Sequence, residues 1–338
     1  MERVIDTMYK KSKYKKLIVC SILLIIAIVA PFAFTSEYNR HIMVMCGVWI
    51  IAALGLNLIL GYVGQLNLAH GTFFGVGAYA TALLMQKAGI PFWWALPLGC
   101  LATAALGFVT GIPTLRTRGH YFPIATMCLG IAVYYAIARW DDFTGGACGL
   151  YGIPRPGSIS LPLAKTIDFE STVACYYLVL LIAVLTIILM LRLVKSLTGQ
   201  RIMAVRGNED LAQSLGINTM KDKIVCFTLS TVFAGLAGGI FASYVGAIMP
   251  ENAHFLVSFE MLLYVMIGGV GTIAGPVIGA ILIPVLSEIL HFMGSLRLVI
   301  FGFILILTIQ FLPFGIIGGI RVALLRYPGL TGRSVGSE

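Results

Sequence analysis

The amino-acid sequence predicts an all-α, polytopic membrane protein with about ten transmembrane helices. Of its 338 residues, 59% are hydrophobic and only 11% are charged, and the mean hydropathy is +0.96. A helix needs about 20 apolar residues to cross the hydrocarbon core of a bilayer. Long runs without Asp, Glu, Lys or Arg meet this need, at 17–36, 42–86, 88–115, 119–138, 171–191, 224–250, 261–287 and 298–320.

Division of these runs at their polar and Gly-rich breaks gives ten passes, at 17–35, 42–62, 66–85, 92–115, 120–138, 172–194, 224–247, 255–270, 275–293 and 298–316. If the chain starts inside the cell, segments 1–16, 116–119, 192–223 and 321–338 are cytoplasmic. They hold 17 of the 23 Lys and Arg residues, which is the asymmetry of the positive-inside rule. The formal net charge of +9 therefore indicates orientation in the membrane and not nucleic-acid binding.

This topology predicts a basic cytoplasmic tail at 1–16, a membrane domain at 17–320 and a second cytoplasmic tail at 321–338. The membrane domain contains an outer loop at 139–170, whose Gly, Pro, Asp and aromatic residues predict a folded loop with turns. Its acidic residues are either solvated or available to a partner that docks from outside; they are Asp141, Asp142, Asp168 and Glu170.

Polar residues interrupt the second and third passes. A break near Gly61 to Asn67 exposes a helix N-terminus of the kind that meets anionic substrate groups in transporters, and a broken backbone needs cover from protein or from a water-filled cavity. We expect the polar residues and a neighbouring glycine to line a translocation pathway. The alternative is a tightly packed Gly-rich helix pair whose side chains bond one another. These residues are Asn57, Gln65, Asn67, His70 and Gly71.

The cytoplasmic segment 192–223 carries a compact helical signature. Asn208 is a good N-cap, and the acidic residues Glu209 and Asp210 follow in the first turn, where they suit the helix dipole. Gly216 can end the helix in the left-handed conformation. A helix of about two turns is too short to be stable alone, so we expect it to dock on a partner through an apolar stripe formed by Leu211, Ala212 and Leu215.

The second half of the chain contains further transport-like features. Residues 227–246 are rich in small residues, which predicts close helix packing, and a second Gly-rich break is centred on 268–276. Glu260 and Glu288 lie toward the outer ends of their passes and are candidates for a transport role. Five passes on each side of the outer loop permit an inverted repeat, and the eighth or ninth pass can be re-entrant.

The sequence lacks the motifs of common enzymes. It has no G-x-x-x-x-G-K-[ST] loop, no H-E-x-x-H and no C-x-x-C. We therefore expect no catalytic residue, no metal and no cofactor in this chain. Because the passes carry few ionisable residues for coupling, a channel-like or externally powered transporter fits better than a secondary transporter.

Three blocks resemble permease subunits of branched-chain amino acid ABC importers of the LivM type, in the LivH/LivM family. They are GLNLILGYVGQLNLAHGTFFGVGAYATALL (55–84), AVRGNEDLAQSLGIN (204–218) and GGVGTIAGPVIGA (268–280). The resemblance spans roughly residues 40–320. It implies that the chain is half of the translocation pathway for branched-chain or other hydrophobic amino acids in a bacterial inner (plasma) membrane, with both termini in the cytoplasm.

The resemblance also implies four kinds of partner: a homologous second permease, two cytoplasmic ATPases that bind ATP and Mg²⁺, an extracytoplasmic binding protein and the lipid bilayer. In such an importer the 192–223 segment is the coupling loop, and its helix at 208–215 seats in a cleft of one ATPase. Two alternatives remain: an ABC permease for urea or short amides, and a stand-alone secondary transporter or channel.

Overall fold

The computed structural model describes residues 21–34, 36–117, 119–158, 169, 171–290, 293–294, 296–312 and 315–319. Its helices are α1 Ser21–Ala33, α2 Glu37–Asn57, α3 His70–Gln86, α4 Phe92–Thr114, α5 Tyr121–Ala138, α6 Asp141–Thr144, α7 Thr172–Lys195, α8 Leu197–Gly207, α9 Glu209–Ser214, α10 Thr219–Val245, α11 Phe255–Gly268, α12 Ala274–Ile289 and α13 Leu296–Phe311. Residues 315–319 are also helical. The predicted tails at 1–16 and 321–338 lie outside the described residues.

Five helices among the described residues are long and apolar enough to cross a membrane. They are α2 with its π-helical extension, α4, α5, α7 and α10. Each predicted pass overlaps a helix, and the remaining apolar helices are shorter. With a rise of about 1.5 Å per residue, α11 is about 21 Å long, less than the hydrocarbon thickness of about 30 Å. The chain is therefore an α-helical membrane protein in which some helices do not span the bilayer alone.

Helix α10 lies at the centre of the fold and packs against α2, α3 and α4. Small residues make this possible: Gly77 of α3 lies directly against Gly235 of α10, and Gly238 lies against the backbone carbonyl of Phe74. A side chain at Gly77 or Gly238 would collide with backbone atoms of the neighbouring helix, and one at Gly235 would collide with the side chain of Thr103 in α4. The small-residue pattern at 227–246 thus produces the close packing that it predicts.

The outer loop is folded, as its turn residues predict. It contains α6, a 3-10 turn at Gly146–Cys148 and the short strand β1 at Leu150–Tyr151. Strand β1 pairs antiparallel with β2 at Ala247–Ile248, with Leu150 opposite Ile248. This pairing fixes the loop to the outer end of α10. Asp168 and Glu170 lie outside the described residues, and docking of a partner through Asp141 and Asp142 stays a prediction.

Candidate functional site

The segment 192–223, which the sequence predicts to be cytoplasmic, contains two helices, whereas the sequence predicts only one. Helix α8 is the element that the sequence analysis missed. Ser196 caps it, because its Oγ accepts a hydrogen bond from the N–H of Gly199 at 3.3 Å. Ile202 and Val205 are the only large side chains of α8 that are buried. The apolar pattern that would predict this helix from sequence is therefore weak. The Ser196 cap was the one local sign of this helix.

Helix α9 has the two ends that the sequence predicts. At its start, Asn208 Oδ1 accepts a hydrogen bond from the N–H of Leu211 at 3.0 Å. At its end, Gly216 has a φ of +82°. The N–H of Gly216 donates to Gln213 O at 2.9 Å, and the N–H of Ile217 donates to Ala212 O at 3.1 Å. This pair of bonds is a Schellman motif, so the stop predicted at Gly216 is confirmed.

The predicted apolar stripe on α9 divides into an outward and an inward part. Leu211 is 58% exposed and Leu215 is 73% exposed, whereas Ala212 is 2% exposed. Ala212 therefore faces the chain itself, and its inclusion in the docking stripe was wrong. The apolar surface available for docking consists of the two leucines.

Glu209 holds α9 against the start of α10. Its Oε1 lies 2.5 Å from Lys223 Nζ, and the Lys223 side chain is 5% exposed. The same oxygen accepts a hydrogen bond from Thr219 Oγ1 at 3.2 Å, and Thr219 Oγ1 accepts one from Gln213 Nε2 at 2.9 Å. The carboxylate of Glu209 thus binds two groups within the chain. Asp210 also lies in the first turn of α9, and the residue is exposed.

The predicted break in the second run is present. Helix α2 continues as a π-helix at Leu58–Val63, Gly64 leaves it with a φ of +83°, and α3 begins at His70. The exposed N-terminus that the sequence predicts for α3 is, however, already partly satisfied. Three N–H groups there donate to side-chain oxygens: Leu68 N to Thr126 Oγ1, Ala69 N to Asn67 Oδ1 and Gly71 N to Ser258 Oγ. These bonds leave little capacity for an anionic substrate group.

Asn57 joins the first break to the second. Its Nδ2 donates to Thr272 O at 2.8 Å, and its Oδ1 accepts from the N–H of Gly271 at 3.0 Å. The residue is fully buried. Both ends of the amide are therefore occupied by the backbone of the turn between α11 and α12. Although these residues are far apart in the chain, they form one structural unit.

The other pathway candidates fall into two groups. His70 is buried with Nε2 2.9 Å from Ala52 O, and a side chain at Gly71 would lie 2.7 Å from the backbone nitrogen of Ser258. These two residues pack helices together. Gln65 Oε1 and Asn67 Nδ2, in contrast, are buried and find no hydrogen-bond partner among the described residues. Their role in lining a pathway stays a prediction.

Arg206, in the last turn of α8, reaches the same region. Its Nη1 donates to Gly61 O in the π-helical segment. The segment 192–223 and both Gly-rich breaks thus meet at one place, which we call the junction and define by Gly61, Gly64, Arg206 and Gly271. No local sequence pattern marks Arg206 as a contact residue, although it lies in the AVRGNEDLAQSLGIN block.

The carboxylates predicted as transport candidates lie away from the junction. Glu288, near the end of α12, accepts a hydrogen bond from Tyr38 Oη at the start of α2. Glu260 is half-buried in α11. Within the described ranges, no three His, Cys, Asp or Glu residues are grouped so that they could hold a metal ion.

Comparison with known proteins gives a consistent result. Residues 40–309 match the family described as "Branched-chain amino acid transport system / permease component". The chain is 33% identical to the high-affinity branched-chain amino acid transport system permease protein LivM of Salmonella typhimurium, over 87% of this chain and 73% of that protein.

Two further relatives are more distant. The permease protein LivH of Escherichia coli is 23% identical over 80% of this chain and 91% of its own length. The galactose/methyl galactoside import permease protein MglC of Salmonella typhimurium is 26% identical over 82% of this chain and 86% of its own length. No solved structure matches the chain.

Proposed function

The chain belongs to the permease component family of branched-chain amino acid transport systems, and from this membership we propose its role. It is a permease subunit of an ABC importer and forms half of the translocation pathway for branched-chain or other hydrophobic amino acids. The observation that carries the proposal is the 33% identity to LivM, because it extends over 87% of the chain and includes both the breaks and the coupling segment.

Similarity to both LivM and LivH supports a second, homologous permease as the partner in the membrane. The importer also requires two ATPases, since this sequence has no phosphate-binding loop of its own. Helix α9 is the docking element for one ATPase. Its exposed leucines, Leu211 and Leu215, supply apolar contact area, and the Schellman end at Gly216 sets the direction in which the chain leaves the contact.

The membrane arrangement that goes with this role has ten passes in the bacterial inner membrane and both termini in the cytoplasm. The short helices α11 and α12 and the break before α3 are the interrupted passes, and the halves on each side of the outer loop are inverted repeats. The distribution of Lys and Arg supports this orientation. ATP and Mg²⁺ bind only to the ATPases, so this chain itself needs no cofactor.

An extracytoplasmic binding protein delivers the substrate and contributes much of the selectivity. The match to MglC, whose name assigns galactose import, supports this division of labour, because similar permeases serve chemically different substrates. Within the pathway we assign Gln65 and Asn67 to contact with the solute, since each has a buried polar atom with no hydrogen-bond partner in the described part of the chain.

The test is gentle affinity purification of the chain from its native membrane, followed by reconstitution of the recovered complex in vesicles. We expect two ATPases and a second permease to be recovered with it, and ATP-dependent uptake of leucine, isoleucine and valine when the neighbouring binding protein is added. Recovery of the chain alone with uptake intact would indicate a self-powered transporter. ATP-dependent uptake of urea or short amides instead of amino acids would correct the substrate class.

A further inference from the structure

The side chain of Arg206 occupies a site built from three separate parts of the chain. Its Nη1 donates to Gly61 O at the end of the π-helical segment. Its aliphatic stem lies beside Gly64, where an added Cβ would stand 3.0 Å from Cγ. Its guanidinium lies beside Gly271, where an added Cβ would stand 2.7 Å from Nη1. One side chain therefore contacts both Gly-rich breaks from the cytoplasmic helix α8.

The bond from Arg206 gives a hydrogen-bond partner to Gly61 O, a carbonyl group near the C-terminal end of the π-helical extension of α2. The last carbonyl groups of a helix have no partner within the helix, and the helix dipole makes this end negative. Ile59 O accepts the N–H of Gln65 at 3.1 Å, whereas Gly61 O accepts from Arg206. The guanidinium thus caps the C-terminal end of the α2–π unit from outside that unit, with a charge-assisted hydrogen bond.

The two glycines beside Arg206 leave room for it. Gly64 and Gly271 have φ values of +83° and +75°, which already favour glycine. A side chain at Gly64 would also press on the stem of Arg206, and one at Gly271 would press on its guanidinium. The second break follows the first because Asn57 binds the backbone of Gly271. Any displacement of Arg206 therefore acts on both breaks together.

We propose that Arg206 is the positioning residue that transmits movement of the α8–α9 pair to the two breaks of the membrane pathway. This inference rests on the proposed function, since the movement originates in the ATPases that dock on α9. Helix α8 ends at Gly207 and α9 begins at Glu209. Because only Asn208 separates the two helices, a displacement of α9 also displaces Arg206. Because Arg206 is still solvent-accessible, its bond to Gly61 O can break and re-form as the helices move.

The test uses the complete importer, purified with its own partners and reconstituted in vesicles. Arg206→Met keeps an unbranched stem beside Gly64 and removes the hydrogen-bond donors, whereas Arg206→Lys keeps a charge and a donor. Arg192→Met, on an exposed cation in the last turn of α7, is the matched control. The measurement is the amount of leucine taken up per ATP hydrolysed, together with the amount of complex recovered.

We expect Arg206→Met to assemble normally, to retain basal ATP hydrolysis and to lose about tenfold in uptake per ATP, as the loss of one charge-assisted bond implies. Arg206→Lys should recover part of this ratio, and Arg192→Met should match the wild type. Hydrogen exchange gives a second readout: nucleotide binding should change the protection of residues 64–69 in the wild type and not in Arg206→Met.

A wild-type ratio in Arg206→Met would overturn the inference. Failure of Arg206→Met to assemble would also overturn it, because Arg206 would then be a structural residue. These results differ from failure of the proposed function, in which the wild-type complex itself would show no ATP-driven uptake.

Discussion

Replacement of Gly216 by valine tests the coupling role of α9 with a purely local change. Gly216 is the residue after the last turn of α9, and its φ of +82° lies in the left-handed region. An added Cβ would meet no atom within 4 Å. The substitution therefore introduces no steric clash with the rest of the chain, and its whole effect comes from the backbone conformation.

The magnitude follows from that conformation. A non-glycine residue in a strained backbone region costs about 1–3 kcal/mol, and a β-branched residue lies toward the upper end. Since 1.4 kcal/mol is about tenfold in an equilibrium constant, the native end of α9 becomes roughly 5- to 150-fold less populated. The two Schellman bonds, from Gly216 to Gln213 and from Ile217 to Ala212, are lost in the same step.

The assay compares uptake per ATP with assembly in the reconstituted importer. We expect Gly216→Val to insert in the membrane and to pair with the second permease, but to lose most of its ATP-driven uptake. Gly216→Asn is the matched variant, because asparagine tolerates the left-handed region, and it should retain uptake. Gly207→Ala, at a glycine of the same segment with open space and no positive φ, should behave as the wild type.

Normal uptake by Gly216→Val would refute the coupling role of α9. Equal losses in Gly216→Val and Gly207→Ala would refute the conformational reasoning, since only one of these positions requires a positive φ.

Three further predictions follow from the same contacts. Leu215→Asp should weaken capture of the ATPases by about 10- to 100-fold, because a buried leucine contributes about 1.5–3 kcal/mol. The control is Leu197→Asp, at an equally exposed leucine at the start of α8, which should leave capture unchanged. Equal capture by both variants would contradict the docking surface. Asn57→Ala leaves a backbone N–H and a carbonyl unpaired, each at a cost of about 1–3 kcal/mol, so thermal unfolding in detergent should begin at a lower temperature; an unchanged transition would show that the junction is not structural. Asn67→Ser removes the unpaired Nδ2 but can keep the cap on Ala69, so it should reduce uptake without reducing stability, whereas His70→Ala should reduce stability through loss of the bond to Ala52 O; if neither variant changes uptake or substrate range, these residues do not line the pathway.

The helices of this protein follow from local sequence because the bilayer imposes a simple rule. A run of about 20 apolar residues has to form a helix there, so the charge-free runs predict where the apolar helices lie. Both ends of α9 are equally local, since Asn208 bonds to the N–H of Leu211 and Gly216 bonds within the last turn. Features of this kind need only a few consecutive residues.

The junction is not predictable in this way. The bonds of Asn57 to Gly271 and of Arg206 to Gly61 join residues that are 214 and 145 positions apart, and no periodicity carries such information. Helix α8 was missed because its apolar content is low and its stability comes from packing. The polar residues of the second run were predicted to matter, but only the structure divides them into packing residues and those with unpaired atoms.

The ion pair between Glu209 and Lys223 explains how α9, although it is short, can transmit a displacement to the rest of the chain. A helix of six residues is not stable alone, because helix nucleation is costly. Here the carboxylate of Glu209 meets an ammonium group that is almost completely buried, and removal of either partner would leave an uncompensated charge. Helix α9 is therefore fixed to α10, which packs against α2, α3 and α4 at the centre of the fold. A displacement of α9 cannot be absorbed by unfolding of its own turns without breaking this pair. In the coupling proposed above, it passes instead to α10 through Lys223 and to the two breaks through Arg206, so the segment 192–223 acts on the membrane domain at two points.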